Sequence, residues 1–91
     1  SFSMSKGSDR AVYIISIAAK LAGVHPRTLR IYEAEGLLNP ARTKGRRRLY
    51  SDQDIARVRY IRYLTQEKGV NLAGVKIILE MKEMYKDNDQ E

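Results

Sequence analysis

Two short stretches of helical periodicity, joined by Gly23-Val24-His25, constrain this chain more than any other feature. Ile17, Ala18, Leu21 and Ala22 recur at a spacing that puts them on one side of a helix. Ser16 can cap that helix, and Gly23 stops it after two turns, which predicts helix 1 over residues 16–22. Pro26 has the fixed φ suited to a first helical position and opens a second helix through Glu35, where Gly36 ends it. Two short helices around so tight a connection match the helix-turn-helix pattern, whose second helix lies in the DNA major groove. Ahead of them, Val12-Tyr13-Ile14-Ile15 is a β-branched and aromatic run that reads as a brief strand.

Downstream, Leu37-Leu38 reads as a buried anchor and Asn39-Pro40 as a break. Arg42, Lys44, Arg46, Arg47 and Arg48 follow within seven residues, with Gly45 marking a tight reversal and Leu49-Tyr50 a return strand. This is a basic β-hairpin, a wing. Ser51-Asp52-Gln53-Asp54 is a capping pattern with an acidic residue at the third helical position. It opens a third helix carrying Ile55, Val58, Ile61 and Leu64 on one face and ending at Glu67-Lys68-Gly69. Asn71 caps a fourth helix, with Leu72, Val75, Ile78, Leu79, Met81 and Tyr85 directed inward or towards a partner. The expected fold is mostly α, a winged helix-turn-helix with four helices and a short two- or three-stranded β-wing. Residues 1–3 read as a vector scar and 4–11 as a flexible N-terminus. Residues 12–85 read as the winged helix-turn-helix domain and 86–91 as a frayed tail.

Ninety-one residues allow one domain with a modest core. A net charge of +6 implies an anionic partner, either nucleic acid or an acidic membrane surface. No apolar run is long enough to span a bilayer and no signal peptide is apparent, so a cytoplasmic, nucleoid-associated protein is expected. The absence of cysteine excludes disulfides and thiolate metal sites, and a single histidine cannot build a metal site alone. No cofactor is expected. Nor is an enzyme, because no nucleophile stands beside a base in a recognisable motif and no Gly-rich phosphate loop is present.

The residues expected to contact DNA fall in two groups. On helix 2, Arg27 and Arg30 share the outward face with position 31, at a helix N-terminus that already favours phosphate. Arginine can donate two parallel hydrogen bonds to guanine O6 and N7 or pair with a phosphate, and Thr28 can reach a phosphate or a thymine methyl. His25 is expected to cap helix 2 or donate to a phosphate. In the wing, Arg42, Lys44, Arg46, Arg47 and Arg48 bring like charges together at a cost that a polyanion relieves, and Thr43 among them is expected to contact DNA as well. Tyr32 and Tyr50 can pack their rings inward and offer the hydroxyl to a phosphate. Tyr13 is assigned to the core, and Tyr60 and Tyr63 to a partly buried surface among Arg57, Arg59 and Arg62.

The order Ile17-Ala18-Ala19-Lys20-Leu21-Ala22-Gly23-Val24, Arg27-Thr28-Leu29-Arg30, Tyr32-Glu33, Gly36-Leu37-Leu38, Pro40 and Arg48-Leu49-Tyr50-Ser51 resembles the DNA-binding domain of the MerR family of bacterial regulators. The match covers about Val12 to Met81. Within the family the chain looks most like the heat-shock repressor subgroup HspR. The cues are Val12-Tyr13-Ile14-Ile15-Ser16, His25-Pro26, and Gly69-Val70-Asn71-Leu72-Ala73-Gly74-Val75-Lys76, the last shared in part with glutamine-metabolism regulators. The resemblance implies a repressor of chaperone genes acting on double-stranded DNA at an inverted-repeat operator, as a homodimer, with a DnaK-type chaperone as co-repressor. Two departures stand out. Ile31 occupies a position often aromatic in the family, and Lys86 to Glu91 leave no room for the long dimerisation helix that usually follows. Three other readings compete: an excisionase-like architectural DNA protein, a MerR-type regulator of nitrogen metabolism, and a protein-interaction module in which DNA is incidental.

Overall fold

The computed structural model describes residues 10–89, with side chains described through Met84. The chain falls into two compact units, one ending at Tyr60 and the other beginning at Ile61. The expected scar at residues 1–3 and most of the stretch 4–11 lie outside the described residues.

In the first unit, strand β1 spans Ala11–Ile14 and helix α1 Ile15–Ala22. Helix α2 spans Pro26–Ala34, strand β2 Ala41–Arg42 and strand β3 Arg48–Ser51. Helix α3, Asp52–Arg62, begins in this unit. The three strands form an antiparallel sheet in the order β1-β3-β2, so the wing pairs with the strand that precedes the helix-turn-helix. A bulge between Ala11 and Tyr13 shifts the β1 register.

Helix α1 packs on α2 and on the sheet. Ala18, Ala19 and Ala22 are all buried on α1, and side chains this small let the neighbouring backbone come close. Leu29, Tyr32, Leu37, Leu38, Tyr50, Ile55 and Val58 are the other buried hydrophobic residues of the unit, among them the expected anchor at Leu37-Leu38, and Pro40 and Ser51 are buried as well.

Both helices of the motif end in the same way. Gly23, at φ 75°, donates to the Lys20 carbonyl, while the Val24 amide donates to that of Ala19. At the end of α2, Gly36, at φ 80°, donates to Glu33, and the Leu37 amide donates to Tyr32. These paired bonds satisfy carbonyls that would otherwise be left open, and they need a left-handed residue that glycine adopts without strain.

The start of α1 differs from expectation. Its N-cap is Ile14, which offers no side-chain bond, so Ser16 lies inside the helix rather than capping it. The start of α3 follows the capping pattern: Asp54 N–H donates to Ser51 Oγ at 3.1 Å, and Ser51 N–H to Asp54 Oδ2 at 3.0 Å. Tyr13 is half-buried rather than core, and its hydroxyl donates to Asp52 Oδ1 at 2.9 Å. That bond joins β1 to the first turn of α3, and the carboxylate beside it holds the Tyr13 hydroxyl above its ordinary pKa.

The second unit contains a π-helical segment, Tyr63–Glu67, and helix α4, Leu72–Asp89. Asn71 caps α4 through its Oδ1, which accepts from the Gly74 amide at 2.8 Å. Ile61, Leu64, Val75 and Leu79 are buried, whereas Met81 is exposed with Ile77 and Met84 rather than directed inward. The Tyr85 side chain lies outside the described residues. Lys86 to Asp89 continue α4, where a frayed tail was expected; residues 90–91 are not described.

Replacing Gly36 by alanine forces a Cβ into a left-handed conformation and is expected to lower the unfolding free energy by about 1–2 kcal/mol in urea titrations. Gly45 has no positive φ, and a new Cβ there would meet Thr43 Oγ1 at 3.8 Å, an ordinary van der Waals contact, so Gly45→Ala is expected to cost nothing in the same titration.

Candidate nucleic-acid interface

Helix α2 is positioned by its two ends. At the front, the His25 backbone is extended and its Nδ1 accepts from the Arg27 amide at 3.0 Å. That bond requires Nδ1 to be unprotonated, so in the neutral ring the proton resides on Nε2, a donor on an exposed side chain. Capping and anion contact are therefore compatible roles for one imidazole. Leu29 and Tyr32 face the core, which turns Arg27, Arg30 and Ile31 outward. Thr28 is half-buried. Ile31 is 44% exposed, an apolar surface on the same face as Arg27 and Arg30, to which the sequence assigned no contact.

In the wing, Arg46 N–H donates to the Thr43 carbonyl at 2.8 Å, and Thr43 N–H to the Arg47 carbonyl at 3.0 Å. The Thr43 hydroxyl accepts from Arg47 N–H at 3.2 Å. Thr43 thus shapes the turn from within. The left-handed residue of the reversal is Arg46, at φ 67°, and not Gly45 as the sequence suggested. Lys44, Arg46 and Arg47 are exposed at its tip.

The remaining wing arginines behave differently. Arg42 and Arg48 face each other across the β2–β3 ladder, and both reach Glu33 on α2. Arg48 Nε donates to Glu33 Oε1 and an Arg42 guanidinium nitrogen donates to Oε2, so each carboxylate oxygen takes one arginine. Burial raises the pKa of Glu33, but the hydrogen bonds and charges of Arg48 and Arg42 outweigh it, leaving the carboxyl below its ordinary range. Sequence reasoning missed this role of Glu33 in bridging α2 to the wing. Its partners lie in the wing, and no local pattern links them to it.

The tyrosines are also sorted by burial. Tyr50 is 1% exposed and its hydroxyl is enclosed with no hydrogen-bond partner among the described residues, with burial raising its pKa. It cannot offer that hydroxyl to a phosphate, which corrects the expectation. Tyr32 is buried too, so most of its ring serves the core. On α3, Arg57 Nε donates to the Leu37 carbonyl and Arg59 to the Leu21 carbonyl, each at 2.7 Å. These arginines secure the ends of the helix-turn-helix. Farther along, Tyr63 is exposed, with the Lys68 ammonium 5.8 Å from its ring centroid.

Among the described residues, no group of three or more His, Cys, Asp or Glu side chains could hold a metal ion, and no helix is long and apolar enough to cross a membrane. The first unit instead presents exposed cations on α2 (Arg27 and Arg30) and at the wing tip (Lys44, Arg46 and Arg47). This distribution suits a polyanion with regularly spaced charge.

Lowering the pH tests the Glu33 bridge. Its folded pKa is depressed, so its contribution is complete above the ordinary value near 4.5 and is lost as pH falls through the folded value. An NMR titration of the Glu33 side chain is expected to give a midpoint below 4.5, and Arg48→Ala to move that midpoint upward.

Comparison with known proteins points the same way. The family model described as MerR HTH family regulatory protein matches residues 13–82. Over 73 residues the chain is 52% identical to the heat shock protein HspR of Streptomyces coelicolor, covering 80% of this chain and 48% of that one. It is 40% identical over 72 residues to the HTH-type transcriptional regulator GlnR of Bacillus anthracis, covering 79% of this chain and 55% of the relative. The chain thus spans about half the length of these relatives. Among solved structures, HiNmlR, a MerR family regulator lacking the sensor domain and bound to promoter DNA, superposes with a TM-score of 0.72 at 30% identity. That match covers 79% of this chain and 55% of HiNmlR.

Proposed function

The chain belongs to the MerR HTH family of regulatory proteins, and from that premise we propose that it is the DNA-reading part of a transcriptional repressor of heat-shock genes. The observation that carries the DNA-binding reading is the pairing of exposed Arg27 and Arg30 on α2 with the exposed basic tip of the wing in the same unit. HiNmlR, a structural neighbour at 30% identity, is described as bound to promoter DNA, which supports it. The heat-shock reading is supported by 52% identity to HspR against 40% to GlnR, the nitrogen-side alternative suggested by the sequence.

In this reading α2 enters the major groove. Arg27 and Arg30 reach base edges or flanking phosphates, Thr28 and His25 meet the backbone, and Ile31 offers apolar contact to a thymine methyl. Lys44, Arg46 and Arg47 grip phosphates, with Thr43 holding the turn that presents them. The protein acts as a homodimer at an inverted repeat in the cytoplasm, and a DnaK-type chaperone serves as co-repressor. If the dimer neutralises about eight phosphates, log K falls against log salt with a slope near −7.

Selection of bound duplexes from a random DNA pool at near-physiological salt tests the reading. An enriched inverted repeat is the expected result. The absence of any enriched sequence, with binding that vanishes in salt, would overturn it. On the selected duplex, Arg30→Ala is expected to lower base discrimination by about 1–3 kcal/mol. Arg47→Ala is expected to weaken all sequences alike and to flatten the salt slope by about 0.9 per protomer. Equal losses for both variants on selected and random DNA would remove this division of labour.

A further inference from the structure

Arg42 and Arg48 are direct partners across the β2–β3 ladder. Like charges opposite one another in a strand pair are destabilising, and the wing tip adds Lys44, Arg46 and Arg47 nearby. The carboxylate that relieves the pair comes from Glu33 on α2, with one oxygen for each arginine. Arg42 also donates to the Arg46 carbonyl at 3.4 Å, a second bond that holds its guanidinium against the hairpin. The Glu33 and Arg48 side chains are 20% and 30% exposed. Exposed ion pairs contribute only about 0–1 kcal/mol to stability, so the arrangement matters more for where these charges point than for the strength of the fold.

We infer that Glu33 is a specificity-determining residue, an internal counterion that withholds Arg42 and Arg48 from DNA phosphates while fixing the wing against the reading helix. The inference rests on the DNA-binding reading and refines which cations act in it. Each phosphate neutralised adds affinity for every sequence alike, and non-specific sites vastly outnumber an operator. Two arginines committed to Glu33 leave the sequence-blind grip to the wing tip and to α2, where geometry can favour the correct site. Releasing them raises affinity for any duplex and narrows the margin between right and wrong sequences.

The test compares the wild-type chain with Glu33→Gln, Arg42→Ala and Arg47→Ala. Binding to a random-sequence duplex and to the selected duplex is followed by fluorescence anisotropy from about 50 to 200 mM salt. Glu33→Gln is expected to bind random DNA more tightly. Its slope should be steeper by about 0.9 for each arginine released, and its selected-to-random ratio smaller. Arg42→Ala is expected to leave the slope unchanged, whereas Arg47→Ala flattens it. A merely structural role for Glu33 would weaken both duplexes without steepening the slope. The inference is overturned if Arg42→Ala flattens the slope as Arg47→Ala does, or if folded Glu33→Gln keeps the wild-type slope. Should Glu33→Gln fail to fold by circular dichroism, the comparison of Arg42→Ala with Arg47→Ala decides alone. A wild-type chain that binds neither duplex sinks the DNA-binding reading, and the inference with it. A wild-type chain that binds, with slopes contrary to those expected, sinks the inference alone.

Discussion

The packing of α1 against α2 is the constraint on which the interface depends. Ala18, Ala19 and Ala22 present a nearly flat surface. The turn through Gly23 brings α2 back across it while the Ala19 and Lys20 carbonyls find donors in Val24 and Gly23. With the helix pair fixed, Leu29 and Tyr32 have one place to go, the core, and Arg27, Arg30 and Ile31 have the other. Larger side chains on α1 would hold the helices apart and rotate the reading face. From outside the motif, Arg57 and Arg59 of α3 donate to carbonyls at Leu37 and Leu21, each beside the end of a motif helix. Two cations that composition alone would credit to nucleic-acid binding are therefore spent on holding the reader in place.

Positive charge in this molecule is accordingly less uniform than a net value of +6 suggests. Arg57 and Arg59 are structural donors to backbone carbonyls, Arg42 and Arg48 are held by Glu33, and Arg27, Arg30, Arg46 and Arg47 are exposed on α2 and at the wing tip. The cations differ in their surroundings: those of α2 and the wing tip are exposed, while Arg42 and Arg48 share the one carboxylate of Glu33.

How much of this was legible in the sequence follows from the range of each interaction. Pro26, Gly36 and the Ser51–Asp54 box act within one helical turn, and the structure places those boundaries within a residue of where local chemistry put them. Where several local solutions compete, the reading erred by small amounts. Ser16 is a good cap residue, but the chain had already turned helical at Ile15, leaving Ile14 as the N-cap. Gly45 is the residue best able to adopt positive φ, yet the Thr43 bonds put that conformation on Arg46. The larger misses concern contacts distant in sequence. Nothing near Glu33 announces Arg48, and nothing near Tyr50 says that its hydroxyl would be sealed in. The wing was recognisable as basic; which of its charges are free was not.

The pairing of β1 with β3 has a consequence for how the molecule is assembled. Ala11 lies opposite Ser51, so both motif helices and the wing occupy the segment between paired strands. Closing that segment is a long-range event whose entropic cost must be met before its contacts reward it, whereas the helix turns within it form locally. The order of events is thereby biased: the two helices can collapse on one another early, and the sheet ratifies their arrangement late. By the same logic, separation of β1 from β3 frees both ends of the reading head at once. A strand of four residues thus serves as the latch on the entire recognition unit.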